Sequence, residues 1–347
     1  MSGKLIIHAA QGVLTVQDLG RPGHLAQGLG RGGAMDRLAL IEAAALLGQP
    51  APLAAIEMAG AGGTFEVSAP TRIALTGAPM RAQLDGRPLL WAAVHLFRPG
   101  QRLRIGPAEA GVYGYLTPAG GIASEAWLGS RAAHLTIGIS APLAAGDAVP
   151  LHADPSPQDP ALRLDVAPRF AGGELRLIDG PQTPLFSDET LAAFAQARFT
   201  RAVQGNRQGI RLDAAARFPA EALRQLTAGL ASDIIGPGDV QMTGEGVPYV
   251  LGAECQTIGG YPRIGAVLPD DLPRAMQAPP GAGLGFRRIT LDEALACHVP
   301  EAQLLAEARR RCRPLLRDPR EVGDLASHNL IGGVIRGDEH EMEERAR

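Results

Sequence analysis

The chain has 347 residues and a formal net charge of −3, so it is long enough to bury a sizeable core and to form two or three domains. Glycine (44 residues) and proline (28 residues) are abundant, while aromatic residues make up only 4% of the chain. This composition excludes a helix bundle or a coiled coil and predicts many short strands and turns, and the near-neutral charge argues against nucleic acid as a partner.

The first half of the chain alternates short β-like runs with turn signals. Asp85-Gly86, between two such runs, is a residue pair that a type I′ β-hairpin favours. One helix is predicted over residues 35–47, where apolar residues recur at helical spacing between Asp36 and Gly48. The strands predicted for this half span residues 5–9, 14–19, 64–67, 72–76 and 102–105.

A proline-rich stretch divides the chain, because the prolines at positions 150, 155, 157 and 160 cannot continue a helix or a central strand. We therefore predict a linker over residues 151–163 between an N-terminal domain (1–150) and a C-terminal domain (164–295). Residues 296–347 follow as a predicted helical extension, and its last part, residues 332–347, is polar and expected to fray.

The second half combines capped helices with further strands. Ser187 precedes a predicted helix over residues 188–199, whose acidic first turn suits the helix dipole. Thr290, with Glu293 three residues later, forms a predicted capping box. The strands predicted for this half span residues 174–178, 209–212, 240–242, 249–251 and 284–289.

Three Gly-rich segments hold more polar residues than turns require: residues 13–36, 205–212 and 254–265. With other motifs in the same order, they resemble the carboxyltransferase-like subunit 2 of allophanate hydrolase and urea amidolyase, a family that includes the C subunit of bacterial 5-oxoprolinase and the regulator KipA. The resemblance covers about residues 5–295. Its motifs are TVQDLGR-G, GAMD, Glu57, LTGA (75–78), YL-PAGGI (115–122), GSR (129–131), GP (180–181), NR-G-RL (206–212) and QTIGGYPRI (256–264).

The resemblance implies a mainly β fold: two related cyclophilin-like β-barrel domains that form a cleft, with a few short helices. It also implies one component of an ATP-dependent 5-oxoprolinase, which opens 5-oxoproline to glutamate. The implied partners are the A and B subunits of that enzyme, of which the B subunit is KipI-like and similar to allophanate hydrolase subunit 1. Two alternatives stay open. One is carboxyl transfer from carboxybiotin to urea or a related amide, and the other is a KipA-like regulator that binds a KipI-like partner.

The 33 basic residues include a single lysine, Lys4, at the N-terminus. P-loop kinases, pyridoxal enzymes and biotin carriers each need a lysine at a defined place, so any biotin and any ATP-handling lysine would come from another chain. ATP, with Mg²⁺, is therefore expected at a site that a partner shares or supplies. The eight histidines show no HxH or HExxH spacing, which predicts no protein metal site.

Gln17, Asp18 and Arg21 are the first candidate site residues. A strand that ends in a carboxylate and continues into Gly20 and an arginine can present an acid–base group and an anion clamp at a cleft rim. Alternatively, Asp18 caps the turn and pairs with Arg21. Asp36 is predicted to cap the helix that follows it.

Asn206, Arg207 and Arg211 are the second candidate group. Two guanidinium groups beside an amide suit a substrate carboxylate or a phosphoryl group, since each can donate two parallel hydrogen bonds. On a strand without a bulge, Arg207 and Arg211 would share one face. The alternative is a salt-bridged face between strands.

The third candidate group lies in QTIGGYP. Two glycines permit a close backbone approach or a positive φ, and Tyr261 offers a flat ring with a polar tip. We assign Tyr261 and Asp18 as proton-handling groups, and the alternative is a tight loop that packs the barrel end. Ile258 stands where the family usually has threonine. The remaining candidates in this segment bind substrate: Gln256, Thr257, Gly259 and Gly260.

The cysteines indicate a reducing compartment, because Cys255, Cys297 and Cys312 are odd in number and lack zinc-site spacing. Cys255 has no histidine at a nucleophile spacing and is predicted to be a buried, inert thiol. The first residues are too polar for a secretory signal, and no run of 18 uncharged apolar residues exists, so we expect a cytoplasmic protein without a membrane span.

Overall fold

The computed structural model describes residues 3–214 and 218–315, and most of its regular structure is β-strand. The first half of the chain supplies twelve of the strands in this described part. They are β1 (Lys4–Ala10), β2 (Val13–Gln17), β3 (Ala55–Ala59), β4 (Gly63–Val67), β5 (Thr71–Gly77), β6 (Met80–Leu84), β7 (Arg87–Leu89), β8 (Ala93–Phe97), β9 (Leu103–Ala108), β10 (Tyr113–Pro118), β11 (Ala148–Pro150) and β12 (Leu162–Leu164).

These strands form two sheets. One has the order β11-β1-β4-β9-β6-β7, and the other has the order β2-β3-β10-β5-β8-β12. In the first sheet, Leu5 and Ile7 of β1 pair with Val67 and Phe65 of β4, and all four side chains are fully buried. Side chains of a strand alternate between its two faces, so the apolar residues at alternate positions of β1 and β4 define the core side of that sheet.

The second half closes into a seven-stranded barrel with the order β13-β20-β17-β18-β15-β14-β21, and a short pair, β16 with β19, stands beside it. A last strand, β22, extends the N-terminal sheet beside β12. The ranges of these strands are β13 (Gly173–Ile178), β14 (Phe199–Asn206), β15 (Gly209–Ala214), β16 (Asp233–Ile234), β17 (Asp239–Met242), β18 (Pro248–Leu251), β19 (Ile258–Gly259), β20 (Arg263–Val267), β21 (Gly283–Arg288) and β22 (Cys312–Pro314).

Six α-helices of the described chain pack around this frame: α1 (Arg37–Leu46), α2 (Asp188–Gln196), α3 (Ala220–Gly229), α4 (Leu272–Gln277), α5 (Leu291–Cys297) and α6 (Glu301–Arg311). Helix α1 covers β5 and β10, which explains why both strands are buried along their whole length. Leu305 and Ala308 of α6 pack on α1. The C-terminal segment therefore returns to the N-terminal half of the molecule.

The predicted mainly β fold class is confirmed, with one closed barrel in the C-terminal half. Asp85 and Gly86 form the β6–β7 turn, both with positive φ (50° and 80°), as the hairpin signal predicts. Ser187 and Thr290 cap α2 and α5 as predicted. The helix prediction over residues 188–199 is too long, because Phe199 already pairs within the barrel as the first residue of β14.

The division into domains stays a prediction, but two strands bear on it. Strand β12, at the end of the predicted linker, pairs with β8, and β22 of the predicted extension pairs with β12. Both segments thus belong to a sheet of the N-terminal half. The predicted polar tail over residues 332–347 lies outside the described residues. No described helix is long and apolar enough to span a bilayer.

A cluster of phenylalanine rings packs in the core of the barrel half, and its packing can be tested by mutation. The ring of Phe194 on α2 lies 4.9 Å, centroid to centroid, from both Phe199 and Phe286. Because Phe194 is almost fully buried, Phe194→Ala is expected to lower the free energy of unfolding by about 3–5 kcal/mol. Urea titration measures this value, with the half-exposed Leu185 mutated to alanine as control. A loss below about 1 kcal/mol would contradict this packing.

Candidate functional site

The three Gly-rich segments converge where the two halves of the chain meet. The Thr257 hydroxyl donates to the Gly28 carbonyl oxygen (3.2 Å), and Arg207 Nη2 donates to the Gly33 carbonyl oxygen (2.6 Å). The backbone N–H of Glu254 donates to the carbonyl oxygen of Arg207 (2.8 Å). Segments that are more than 170 residues apart in sequence therefore build one junction.

Arg207 lies at the centre of this junction. It occupies the turn between β14 and β15, is 7% exposed, and forms ion pairs with Glu57 of β3 and Glu254. Burial opposes its charge, but the two carboxylates outweigh that effect and hold the pKa of Arg207 above its usual range. One guanidinium group thus joins a strand of the N-terminal half to the barrel.

A hydrogen-bonded chain continues from Glu57. Its Oε2 accepts from the Tyr115 hydroxyl (2.6 Å) and from the Met35 N–H (2.9 Å), and the Tyr115 oxygen accepts from the Asp36 N–H (2.8 Å). Burial, reinforced by the charge of Glu57, raises the pKa of Tyr115 well above its usual value, so the phenol stays protonated and donates. The start of α1 is thereby fixed to the ion pair.

Asp36 caps α1 as predicted, and it has two further partners. Its side chain accepts from the backbone N–H groups of the first helical turn, from Arg169 Nε (2.8 Å) and from Gln277 Nε2 (2.8 Å). Arg169 also holds Glu42 of α1 through two hydrogen bonds of 2.8 and 2.7 Å. A second buried ionic cluster therefore anchors α1 to the C-terminal half.

The structure gives Gln17, Asp18 and Arg21 structural positions. The Asp18 carboxylate accepts from the Gly20 N–H (2.8 Å), the Ser130 hydroxyl (2.6 Å) and the Arg131 N–H (2.7 Å), so it organises the loop as a cap. Gln17 is fully buried. Arg21 is also buried, its guanidinium donates to backbone carbonyl groups, and it forms no ion pair with Asp18 within the described residues.

Arg207 and Arg211 do not form the expected pair. Arg207 lies in a turn rather than on a strand, and its side chain is turned into the molecule by Glu57 and Glu254. Arg211, on β15, is partly exposed and donates to Asp213 (3.0 Å). The expectation that both guanidinium groups share one face is therefore wrong, because the strand begins only at Gly209.

A pocket of about 440 Å³ opens at the mouth of the barrel beside the junction. It brings Asn206, Gln256 and Tyr261 together, whereas Thr257, Gly259 and Gly260 lie next to it without lining it. The described residues around it are Gln204, Gly205, Asn206, Gln208, Gly209, Ile235, Gln241, Thr243, Tyr249, Leu251, Cys255, Gln256 and Tyr261.

The two glycines of QTIGGYP have a packing role. A Cβ atom on Gly259 would lie 2.6 Å from Gln241 Nε2, so glycine lets β19 pack against the pocket wall without displacing this side chain. Neither Gly259 nor Gly260 has a positive φ, so of the two alternatives the positive φ does not apply. Tyr261 is 46% exposed, and its hydroxyl has no hydrogen-bond partner among the described residues.

The pocket lining is polar but uncharged. Side chains of five Asn or Gln residues and three hydroxyl groups surround the space, and none of the described lining residues is acidic or basic. Carboxamides donate and accept at once, so they complement the C=O and N–H of an amide ligand. The described residues hold no group of three or more His, Cys, Asp or Glu side chains that could bind a metal ion.

Several residues of the site were not among the candidate site residues predicted from the sequence, although Glu57 and Tyr115 stand in motifs of the family resemblance. Glu57, Tyr115 and Glu254 form the ion-pair network, and Gln208 and Tyr249 line the pocket. Glu57 carried a signal, because a carboxylate within the apolar strand AIEMA requires a buried partner. Glu254 directly precedes the QTIGGYP motif. Gln208 lies within the polar, Gly-rich segment 205–212, whereas Tyr249 carried no signal, since an isolated Tyr residue is common on a strand.

The chain matches the family model described as carboxyltransferase domain, subdomain A and B, over residues 27–288. It is 33% identical over 287 residues to a protein of Escherichia coli that is named as the C subunit of 5-oxoprolinase, and the match covers 81% of this chain and 90% of that relative. A putative urea carboxylase of Emericella nidulans is 28% identical over 311 residues, which cover 85% of this chain and 25% of the relative.

Among solved structures, the urea amidolyase of K. lactis has a TM-score of 0.77 at 20% identity, covering 91% of this chain and 21% of that chain. At this identity the likeness shows the fold alone. The chain thus corresponds to about a quarter of the urea carboxylase and a fifth of the amidolyase.

The Arg207 network predicts a large effect on stability. Arg207→Met is expected to lower the free energy of unfolding by about 3–5 kcal/mol, because it leaves Glu57 and Glu254 buried without a cation. Arg211→Met, which removes a solvent-exposed ion pair with Asp213, is the control and is expected to leave the free energy of unfolding almost unchanged. Chemical denaturation measures both. Equal losses in the two variants would contradict a central role for Arg207.

The thiol of Cys255 gives a pH-dependent prediction. Burial raises the pKa of Cys255 to about 12, so at pH 8 only about one thiol in ten thousand is ionised. We expect Cys255 to be the slowest of the three cysteines to react with iodoacetamide in the folded protein, with reactivity that rises with pH. Mass spectrometry of labelled peptides measures each rate, and rapid labelling of Cys255 at pH 8 would overturn the assignment of an inert thiol.

Proposed function

The chain belongs to the carboxyltransferase domain family, and we propose that it is the C subunit of a heteromeric, ATP-dependent 5-oxoprolinase. The Escherichia coli relative of that name supports this over 81% of the chain. The observation that carries the proposal is the pocket at the barrel mouth, whose uncharged amide and hydroxyl side chains match the ring amide of 5-oxoproline.

The chemistry explains why such an enzyme uses ATP. A ring amide is a poor electrophile, and transfer of the γ-phosphoryl group to its oxygen makes that oxygen a good leaving group. One water molecule then adds to the ring carbon, and the C–N bond breaks to give the amine and an acyl phosphate. A second water molecule hydrolyses the acyl phosphate to the carboxylate and phosphate. The products are glutamate, ADP and phosphate.

The residues of this chain would bind and orient the lactam. Asn206 and Gln256 can donate to its carbonyl oxygen and accept from its N–H, and the unpartnered Tyr261 hydroxyl can donate to the same oxygen or hold a proton at the ring nitrogen. Asp18 is not assigned a proton-handling role, because three donors already surround its carboxylate.

ATP and Mg²⁺ are proposed to bind mainly on the partner chains, the A and B subunits. The described residues offer no cluster of metal-ligating side chains, and the sequence holds one lysine, at position 4. The pocket lining also contains no cation to hold a triphosphate. This chain would then act as the lactam-binding component of the assembly.

Carboxyl transfer to urea or a related amide is the second candidate. The putative urea carboxylase relative, aligned over 85% of the chain, supports it, and an uncharged pocket also suits urea. Carboxybiotin would have to be supplied in trans. Streptavidin blotting of proteins that co-purify with the chain separates the two candidates, because only carboxyl transfer requires a biotinylated partner.

The proposed activity is tested by mixing the chain with its two partner chains and measuring glutamate formed from 5-oxoproline and ATP. Omission of this chain is expected to abolish turnover. Gln256→Leu removes a hydrogen-bonding group from an exposed position of the pocket and is expected to lower kcat/KM about 10–100-fold.

Gln303→Leu is the matched control, because Gln303 is exposed on α6, outside the pocket, and should leave kcat/KM unchanged. Turnover at the same rate without this chain would refute the proposed function. Full turnover by Gln256→Leu would instead exclude this pocket as the lactam site.

A further inference from the structure

Arg201 is a buried cation without a carboxylate partner. It lies on β14, is 5% exposed, and its Nη1 donates to two carbonyl oxygens of its own strand, those of Ala202 (2.5 Å) and Val203 (3.0 Å). Its Nε is buried and has no hydrogen-bond partner. Within residues 3–214 and 218–315, Nη2 also donates to no group, and no acidic side chain forms an ion pair with Arg201.

Other arginines of this protein pair the corresponding edge of the guanidinium group with a carboxylate. Arg72 binds Asp154 through Nε and Nη2, both at 2.9 Å, and Arg176 binds Asp271 through the same two atoms at 2.9 and 2.6 Å. This edge of a guanidinium group matches the two oxygens of a carboxylate. In Arg201 the same two atoms have no hydrogen-bond partner within the described chain, and Nε is buried.

The guanidinium group of Arg201 lies directly behind the pocket wall. Strand β14 bulges between Arg201 and Gly205, and a Cβ atom on Gly205 would come within 2.5 Å of Arg201 Nη2. Gly205 itself lines the pocket. Because position 205 is glycine, no side chain at this position of the pocket wall separates the guanidinium group from the strand backbone.

No described group neutralises this charge. Tyr113 is the described ionisable group that acts on Arg201 electrostatically, and burial raises the pKa of that phenol, so it is uncharged at neutral pH. A buried, unpaired cation is unfavourable for folding, and such groups cluster at functional sites. The described pocket lining contains no charged side chain, and Gly205, which belongs to that lining, lies against the Arg201 guanidinium group.

We infer that Arg201 is a specificity-determining residue that makes the barrel-mouth pocket select amides that carry a carboxylate over uncharged amides. The ligand amide meets Asn206 and Gln256, and its carboxylate lies over Gly205, where Arg201 attracts it. This inference rests on the proposed function, which it deepens by naming the charge of the ligand. An attraction of this kind corresponds to about tenfold or more in affinity.

The test compares two lactams that differ only in the carboxylate: 5-oxoproline and 2-pyrrolidinone. Calorimetry measures their binding to the full chain, alone and in complex with its partner chains. The wild-type protein is expected to prefer 5-oxoproline by about tenfold or more. Arg201→Met should bring the two affinities within about twofold by weakening 5-oxoproline alone. Arg287→Met, which removes an exposed cation of the same barrel, should keep the full preference.

A preference that survives in Arg201→Met would overturn the inference. Inorganic phosphate carries charge without an amide and is expected to compete weakly. If phosphate binds more tightly than 5-oxoproline and this binding depends on Arg201, then Arg201 attracts a phosphoryl group and not a ligand carboxylate, which overturns the inference. If the wild-type protein binds both lactams equally, Arg201 does not determine specificity, but the pocket remains the proposed lactam site. If it binds neither lactam, both this inference and the proposed function are overturned.

A second variant tests the inference in case Arg201→Met does not fold. Gly205→Ala keeps the arginine but places a methyl group 2.5 Å from the present position of Nη2, so the guanidinium group has to move away from position 205. Gly205 has no positive φ that would forbid alanine. It should lower the preference for 5-oxoproline severalfold while 2-pyrrolidinone binding persists. An unchanged preference in this variant contradicts the inference even if Arg201→Met does not fold.

Discussion

The ion pairs that Arg207 makes with Glu57 and Glu254 are the interaction on which the rest of the structure depends. A buried guanidinium group between two buried carboxylates is stable only while all three groups stay together, since each alone would be an uncompensated charge. Glu57 belongs to the N-terminal half and Arg207 to the barrel, so the pairing fixes their relative position. The hydrogen bonds through Tyr115 to Asp36 extend this constraint to the first turn of α1.

The pocket follows from that constraint. The turn that aims Arg207 inwards leaves its neighbours Asn206 and Gln208 at the barrel mouth, and the segment that carries Glu254 continues into Gln256 and Tyr261. The charged side chains of Arg207, Glu57 and Glu254 thus lie beneath the pocket and join the two halves of the chain, while the pocket lining is uncharged. An uncharged lining of this kind suits a ligand whose amide is recognised by hydrogen bonds. Arg201, behind the pocket wall, would attract the carboxylate of the same ligand.

Local features of the sequence predicted the fold well, because turns, caps and strands are encoded by neighbouring residues. The Asp85-Gly86 hairpin and the Thr290–Glu293 capping box are examples. The candidate site was predicted less well. Sequence spacing put Arg207 and Arg211 on one face, but the direction of Arg207 is set by Glu57, 150 residues away, and no local pattern encodes that contact. Asp18 likewise meets its partners Ser130 and Arg131 only after folding.

A crystal structure of the full chain with 5-oxoproline bound would show whether the barrel-mouth pocket is the lactam site. We expect the lactam at the barrel mouth, with its ring amide hydrogen-bonded to Asn206 or Gln256 and its carboxylate over Gly205, while the Arg207 ion pairs remain intact. A lactam bound elsewhere, or one held by Arg207 after its release from Glu57 and Glu254, would contradict this expectation, because the junction would then be the binding site itself rather than its support.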